Sequence, residues 1–203
     1  IFSSNYDLLR LYEFLDRDIE GISWDDEMIS ILKSKLANSN DFLNMARCFY
    51  GINASMKDLL PEVFDYESIA NRLGDSPRLS EYFHCIGAIV MNDVCISSIM
   101  MSYLDWAEIS RRINHTEDYE DLAICLAFAQ DADTLFYWRT LQCIDVEGIA
   151  QRLKAMNDVE RIGLFVATVG GQEKYLLEEF CDCVGMEPIL SYIYTTENLR
   201  SIG

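Results

Sequence analysis

The sequence predicts an all-α fold, an α-solenoid of about four three-helix repeats of about 40 residues behind an amino-terminal cap helix. Segments 64–73, 104–113 and 144–153 each hold an Asp, an Ile, an Arg and a final aliphatic residue in the same register. Half of the residues are apolar, and three prolines and ten glycines leave little room for linkers. A period of this size is typical of stacked helical repeats, in which neighbouring repeats shield one another's apolar sides.

The amino-terminal segment differs from everything that follows it. Ser4 to Asp7 reads as a capping box, and leucines follow at helical spacing. This helix has no counterpart later in the chain, as expected where a terminal element covers the end of a repeat core. We therefore assign residues 1–23 to a cap, and we place the repeats at 24–63, 64–103, 104–143 and 144–183.

Residues 184–203 begin one more repeat. Ile189 and Ile193 lie 40 residues after Ile149 and Leu153. This partial repeat is either a carboxyl-terminal cap or the start of a further unit in a longer chain, and we expect the longer chain.

Capping residues indicate the helix boundaries within a repeat. A short first helix is predicted over 105–114, a second one up to 130, and a third one after an acidic residue at 133. Ser76 and Pro77 are expected to start a second helix, because proline fits the first helical position. The acidic residues that we expect to cap the first helices are Asp65, Asp105 and Asp145.

A short helix followed by two longer ones in about 40 residues resembles the armadillo class of repeats and, more loosely, the HEAT class. The resemblance covers residues 24–203 at the level of period and helix count, and the proline usual in the first helix of HEAT units is missing. It implies a curved array whose third helices line a groove that binds another protein.

An arginine near the end of each first helix would form a column if the repeats stack. One interpretation is that their guanidinium groups bind the carboxylates of an extended ligand. The other, which we favour, is a structural ladder in which each arginine pairs with a capping Asp, preferably of the adjacent repeat, because seven residues within a repeat span two helical turns. The arginines are Arg72, Arg112 and Arg152.

Positions of the third helix that vary between repeats are candidates for a binding surface. An exposed aromatic side chain would anchor a partner, and acidic side chains would receive a basic residue. The alternative for Trp138 is that it fills a gap between repeats. The predicted partner-binding residues are Tyr137, Trp138, Gln142, Glu178 and Asp182, with Trp106 as a second anchor.

The formal charge of −18 limits the partners. Nucleic acid and anionic membrane surfaces would be repelled, so a basic or apolar protein or peptide is favoured, although acidity can also serve solubility alone. The apolar run 86–104, interrupted by Asn92 and Asp93, predicts a buried helix pair and not a membrane span. Seven cysteines without a dense framework predict a reducing, intracellular compartment, cytoplasmic or nuclear, where an N-glycosylation match at Asn114 has no meaning.

The sequence contains only weak matches to catalytic and metal-binding motifs. Cys181 and Cys183 fall at repeat positions that are otherwise apolar, which predicts core thiols, and Glu81 and His84 match only half of a di-iron pattern. With two histidines and no nucleophile elbow or phosphate loop, the sequence predicts no metal, no cofactor and no enzyme. We expect an adaptor or scaffold that binds a protein. The alternatives are a homo-oligomerisation module, or an enzyme domain that uses Cys85, Cys125 or His84.

Overall fold

The computed structural model describes residues 26–37, 39–55, 65–91 and 94–195. These ranges hold α-helices, one 3-10 turn at Leu73–Asp75 and no strand, so the all-α prediction is confirmed. None of the helices in the described ranges is long and apolar enough to cross a membrane. The cap helix predicted within 1–23 lies outside them.

The helices pack against one another and are numbered in chain order. They are α1 (Asp26–Ala37), α2 (Phe42–Ser55), α3 (Tyr66–Ala70), α4 (Leu79–Val90), α5 (Val94–Tyr103), α6 (Trp106–His115), α7 (Tyr119–Ala132), α8 (Thr134–Gln142), α9 (Val146–Met156), α10 (Val159–Gln172), α11 (Lys174–Val184) and α12 (Met186–Thr195).

Helix starts recur at intervals of 40 residues. The same interval separates the first helices α3, α6, α9 and α12, the second helices α4, α7 and α10, and the third helices α5, α8 and α11. Ile69, Ile109 and Ile149, which share one repeat position on the first helices, are all buried. The period in the sequence is therefore also a period in secondary structure and in burial.

Side-chain caps explain several of these starts. Asp65 Oδ1 accepts a hydrogen bond from the Ser68 backbone N–H at 3.0 Å, and Asp145 Oδ1 accepts one from Gly148 at 2.9 Å, as predicted. Asp133 Oδ1 accepts from the backbone N–H of Leu135 and of Phe136 at the start of α8. Each cap satisfies an N–H group that the first helical turn cannot pair internally.

Two predicted boundaries are wrong. α4 begins at Leu79 and not at Pro77, because the Ser76 hydroxyl donates to the Arg78 carbonyl and so closes a turn outside the helix. α3 ends at Ala70 and gives way to the 3-10 turn, whereas α6 and α9 continue further. Gly74, a poor helix former, occupies the position of Asn114 and Lys154 in those longer helices.

The described residues divide into two compact units. The first unit comprises α1 to α5, the end of α7 from Phe128 and the start of α8 up to Trp138. The second unit comprises α6, α7 up to Ala127, α8 from Arg139, and α9 to α12.

The core of the first unit is built on α4, which packs along α2. The rings of Phe42 and Tyr82 meet edge to face at 5.8 Å, and the Tyr82 hydroxyl donates to the Ala70 carbonyl oxygen at 2.9 Å. On another side of α4, Phe83 packs against Phe136 with ring centroids 4.9 Å apart. These contacts connect the first, second and third helices of neighbouring repeats within this unit.

The core of the second unit centres on Phe165 of α10. Its ring lies 5.3 Å from that of Tyr119 and stacks on Phe180 at 4.2 Å. Gly163, on the same helix, allows α12 to approach, because a Cβ there would lie 2.2 Å from the ring of Tyr192. Burial of such aromatic side chains supplies most of the apolar stabilisation.

Arg72 binds the end of an earlier first helix. Its Nη1 donates to the carbonyl oxygens of Leu36 and Ala37, at 3.2 and 3.3 Å, and its Nη2 donates to Asn40 Oδ1 at 2.8 Å. Leu36 and Ala37 end α1, where the last carbonyls have no partner in their own helix and carry the negative end of the helix dipole. The guanidinium therefore stabilises this helix terminus.

Arg152 makes the corresponding contact in the second unit. Its Nη1 donates to the carbonyl oxygen of Asn114 at the end of α6. Ala37 and Asn114 share one repeat position, two residues after the basic residue of their own repeat. Arg72 and Arg152 thus both donate to backbone carbonyls at a helix end, which a planar fork of donors matches, and these carbonyls take the place of the capping aspartates that the sequence led us to expect. Arg72 also lies 3.7 Å from the carboxylate of Asp75, an acid of its own repeat that caps no first helix.

Asn114 has a role that the sequence did not reveal. Its Nδ2 donates to Ser110 Oγ at 3.1 Å and to the Cys143 carbonyl oxygen at 2.8 Å, while its Oδ1 accepts from the Asp145 N–H at 2.8 Å. The amide therefore joins the end of α6 to the start of α9. Both of its polar atoms are occupied, which leaves no free amide nitrogen for the glycosylation pattern at this site.

We predict that Arg72→Leu lowers the free energy of unfolding by about 2 kcal/mol, because the carbonyls at the end of α1 lose a charged donor. Urea denaturation followed by circular dichroism measures the change. Arg47→Leu is the matched control, since the exposed Arg47 donates to Asn44 Oδ1 on its own helix and its loss should cost about 0.5 kcal/mol or less. Equal losses in both variants would refute the assigned role of Arg72.

Candidate functional site

The exposed side of the third helices is the candidate site. In α5, α8 and α11 the same three repeat positions carry exposed side chains, and they follow one another at spacings of three and four residues. Such positions share one side of a helix. We use the name third-helix surface for these nine exposed positions, with each compact unit taken by itself: Cys95, Ser98, Ser102, Leu135 and Trp138 in the first unit; Gln142, Tyr175, Glu178 and Asp182 in the second.

The chemistry of this surface changes from helix to helix. α5 presents small neutral groups, α8 presents Leu135 and an indole, and α11 presents a phenol with carboxylates. On α11, Lys174 Nζ lies 3.1 Å from Glu178 Oε1, and a hydrogen bond with Glu179 raises the pKa of Tyr175. Both interactions are on the exposed surface, so they contribute little to stability.

Trp138 is on the surface, with 57% of its side chain exposed. Gln142, Glu178 and Asp182 are exposed as well. Glu178 and Asp182 are four residues apart on α11, so their carboxylates share one side of that helix. These four side chains are accessible to a partner.

Tyr137 requires a correction. Only 8% of it is exposed, and its ring centroid lies 6.1 Å from that of Trp138. The rotation of α8 that directs position 138 outward turns position 137 inward, since adjacent residues are about 100° apart around a helix. Tyr137 therefore packs beside Trp138 and does not present its own ring to a partner.

Trp106, the second predicted anchor, is only half-exposed at the start of α6. The thiol of Cys143 lies 3.9 Å from its carbonyl oxygen, so this end of the helix is covered by the segment before α9. The indole offers less accessible surface than that of Trp138.

The sequence predicted that the segment 86–104 forms a buried helix pair, and this is wrong for the second helix of the pair. α4 is buried almost throughout, but α5 has apolar side chains on the surface, with Val94 at 76% exposure. Strongly apolar sequence predicts burial on all sides, and it cannot show that residues of α5 such as Val94 and Ile99 are exposed.

The thiols proposed for an enzyme alternative are protected. Cys85 and Cys125 are fully buried, and burial is the main cause that raises the pKa of each well above its ordinary value. A thiol is a nucleophile only as the thiolate, so neither group is activated in this structure. Cys181 and Cys183 are half-buried, which corrects their assignment to the core.

His84 lies between aromatic rings and not opposite a second ligand. It stacks on Phe128 with centroids 4.2 Å apart, and the ring of Tyr50 lies at 5.4 Å. Its buried Nδ1 has no hydrogen-bond partner among the residues that the structure describes. Burial, followed by the charge of Arg47, lowers the pKa of His84. The side chain is therefore a neutral packing group.

No cluster of three or more His, Cys, Asp or Glu side chains in the described part of the chain could hold a metal ion. The sequence matches no known protein family, and neither a curated protein nor a solved structure matches it. The function must therefore be argued from the geometry of this chain alone.

We predict that His84 makes the fold less stable in acid. The unfolded chain binds a proton at its ordinary pKa near 6.5, while the folded His84 resists protonation, so stability falls as pH drops below about 6.5. His84→Phe removes the group that binds this proton, together with the buried Nδ1. As the pH falls, the free energy of unfolding of the variant should therefore rise relative to that of the wild type, by at most about 1.4 kcal/mol per pH unit. Urea titrations between pH 7.5 and pH 5 measure this difference, and a constant difference would refute the prediction.

We further predict that Cys95 reacts rapidly with a thiol reagent in the native state, because it is exposed, whereas the buried Cys48, Cys85 and Cys125 react only on unfolding. Cys95→Ser should remove one fast equivalent in a dithionitrobenzoate assay. Loss of a fast equivalent in Cys85→Ser or Cys125→Ser would instead indicate an activated thiol and would favour the enzyme alternative.

Proposed function

We propose that the chain is a non-enzymatic scaffold or adaptor, an armadillo-like α-solenoid of about four three-helix repeats that binds a partner protein or peptide along the third-helix surface. The observation that carries the proposal is that the same positions are exposed on α5, α8 and α11 while their residues differ. The buried position shared by Ile69, Ile109 and Ile149 keeps its apolar character, whereas the exposed positions are free to match a partner.

Two further observations support the solenoid. The helix starts keep the interval of 40 residues through three consecutive repeats. In each compact unit an arginine of one first helix binds the end of the preceding first helix, at the same repeat position. A contact that repeats with the period of the sequence is what stacking of identical units requires.

The partner is expected to be a protein and not a nucleic acid. At −18 the chain repels phosphate backbones, whereas Glu178 and Asp182 suit a basic side chain. Trp138 supplies an exposed aromatic anchor of the kind that dominates interface energy. The seven cysteines, all within the described ranges, form no disulfide there, which favours the reducing interior of a cell.

The experiment that tests this proposal compares Trp138→Ala with wild type in affinity capture, followed by binding titration of the captured protein. Because Trp138 is exposed, the variant should keep its melting temperature and lose at least tenfold in affinity, about 1.4 kcal/mol. Met156→Ala, an equally exposed apolar residue on the first helix α9, is the matched control and should bind normally.

Glu178→Gln combined with Asp182→Asn should weaken the same complex and reduce its salt dependence. If neither third-helix variant changes binding, or if Met156→Ala changes it equally, the proposal is wrong. Light scattering over a concentration series separates it from the homo-oligomerisation alternative, in which mass would rise with concentration and fall in Trp138→Ala.

A further inference from the structure

A close contact joins α4 to the end of α7 within the first compact unit. A Cβ at Gly87 would lie 3.2 Å from the Cβ of Ala132 and 3.4 Å from the Phe128 carbonyl oxygen, so the two helices approach each other at this glycine. One turn earlier on α4, the ring of His84 stacks on that of Phe128, with centroids 4.2 Å apart and planes 2° from parallel. A titratable ring is therefore part of the contact that holds the end of α7 on α4.

The surroundings of His84 do not accommodate a second proton. Nδ1 is buried, and within the described ranges no group forms a hydrogen bond with it. A neutral imidazole carries one proton on its two ring nitrogens, whereas the protonated ring has an N–H at both of them. Protonation would thus bury a donor without an acceptor, on a ring that also carries a charge, and both are costly.

Three helices bring charged or titratable groups to the surroundings of His84. Burial, followed by the positive charge of Arg47, lowers the pKa of His84. Burial, followed by the charge of Asp131, raises the pKa of Tyr50, whose ring lies 5.4 Å from that of His84. No carboxylate in the described part of the chain accepts a hydrogen bond from Nδ1, so the missing acceptor is not replaced. The groups are Arg47 and Tyr50 on α2, Glu81 and Cys85 on α4, and Asp131 on α7.

We infer that the stack of His84 on Phe128 is an acid-sensitive latch, which is closed while the ring is neutral and releases the end of α7 when the ring takes a second proton. A cation–π attraction between the protonated ring and Phe128 opposes the release, but it provides no acceptor for the proton on Nδ1, so the ring leaves the contact to reach water. Only Asp133 separates α7 from α8, so the release also reaches the helix that carries Trp138. The latch goes beyond the proposed scaffold function and does not depend on it.

Release of the latch is a local event, distinct from unfolding of the whole unit. α4 also contacts the start of α8 through Phe83 and Phe136, whose ring centroids lie 4.9 Å apart, and these rings do not titrate. The edge-to-face contact of Tyr82 with Phe42 holds α4 on α2 in the same way. We therefore expect acid to loosen residues 128–132 while the rest of the first unit stays folded.

Hydrogen exchange of the full chain at pH 7.5 and pH 5, followed by mass spectrometry, tests the latch. Each rate is divided by that of the unfolded chain at the same pH. In the wild type, protection of residues 128–132 should fall by at least about threefold in total and by at most about tenfold for each pH unit, because release is coupled to the uptake of one proton. Residues 159–172 of α10 report unfolding of the other unit, and their protection should not change in step.

His84→Phe should abolish this acid response, because a phenyl ring keeps the stack and takes no proton. His115→Phe is the matched control and should respond as the wild type does. His115 is the other histidine of the chain and is exposed, with its Nδ1 2.8 Å from the Arg111 carbonyl oxygen. An acid response of residues 128–132 that persists in His84→Phe, or one that residues 159–172 share, would overturn the inference.

An NMR titration of the wild type tests the latch without any variant. The ring current of Phe128 should shift the ring protons of His84 upfield at pH 7.5, and this shift should vanish in acid as the ring leaves the stack. If the His84 protons titrate and keep the upfield shift, the stack survives protonation and the latch is wrong. If they do not change down to pH 5, the contact is not sensitive to acid and the inference fails as well.

Discussion

The structure depends on how the carboxyl-terminal ends of the first helices are satisfied. A helix leaves its last carbonyls without internal partners, and at α1 and α6 a guanidinium from the next first helix donates to them. Arginine suits this role because one rigid fork can serve several acceptors, as Arg72 does with two carbonyls and the amide of Asn40. The ends of α1 and α6 are thereby positioned by an arginine of the repeat that follows each of them.

This constraint separates two kinds of residue. Positions such as those of Ile69 and Ile149 are buried and interchangeable only among apolar residues of similar size. Positions such as those of Ser98, Trp138 and Glu178 are exposed, so the fold places little demand on them. Their differences in size and charge have no packing cause in the described structure. A binding role, which the fold alone does not establish, accounts for them economically.

The sequence predicted whatever depends on local signals. The period, the helix starts after Asp65, Asp133 and Asp145, and the burial of the repeated isoleucines were all accessible, because capping and helical spacing act within a few residues. The acceptors of Arg72 and Arg152 were not accessible, because a backbone carbonyl leaves no mark in the sequence. An amphipathic pattern likewise fixes the rotation of a helix only approximately.

The errors in the predicted site residues arise because the sequence fixes the rotation of each helix only approximately. Tyr137 and Trp138 are adjacent aromatic residues, so the sequence does not distinguish them. Only the orientation of α8 shows which ring is buried. Cys181 and Cys183 sit at the edge of the buried side of α11, where the apolar character of equivalent positions overestimates burial. The largest error is the predicted burial of α5. A helix without charges is predicted to be buried on every side, even where neighbouring helices cover only part of it.

The exposed apolar side of α5 also has to be reconciled with the charge of the chain. An uncovered apolar surface promotes self-association, because each contact between copies removes apolar area from water. A net charge of −18 opposes the approach of another copy. The same field attracts a cationic partner. Charge and apolar surface together therefore discriminate between partners more sharply than either feature alone, since a neutral apolar segment lacks the attraction and a purely cationic one lacks the burial.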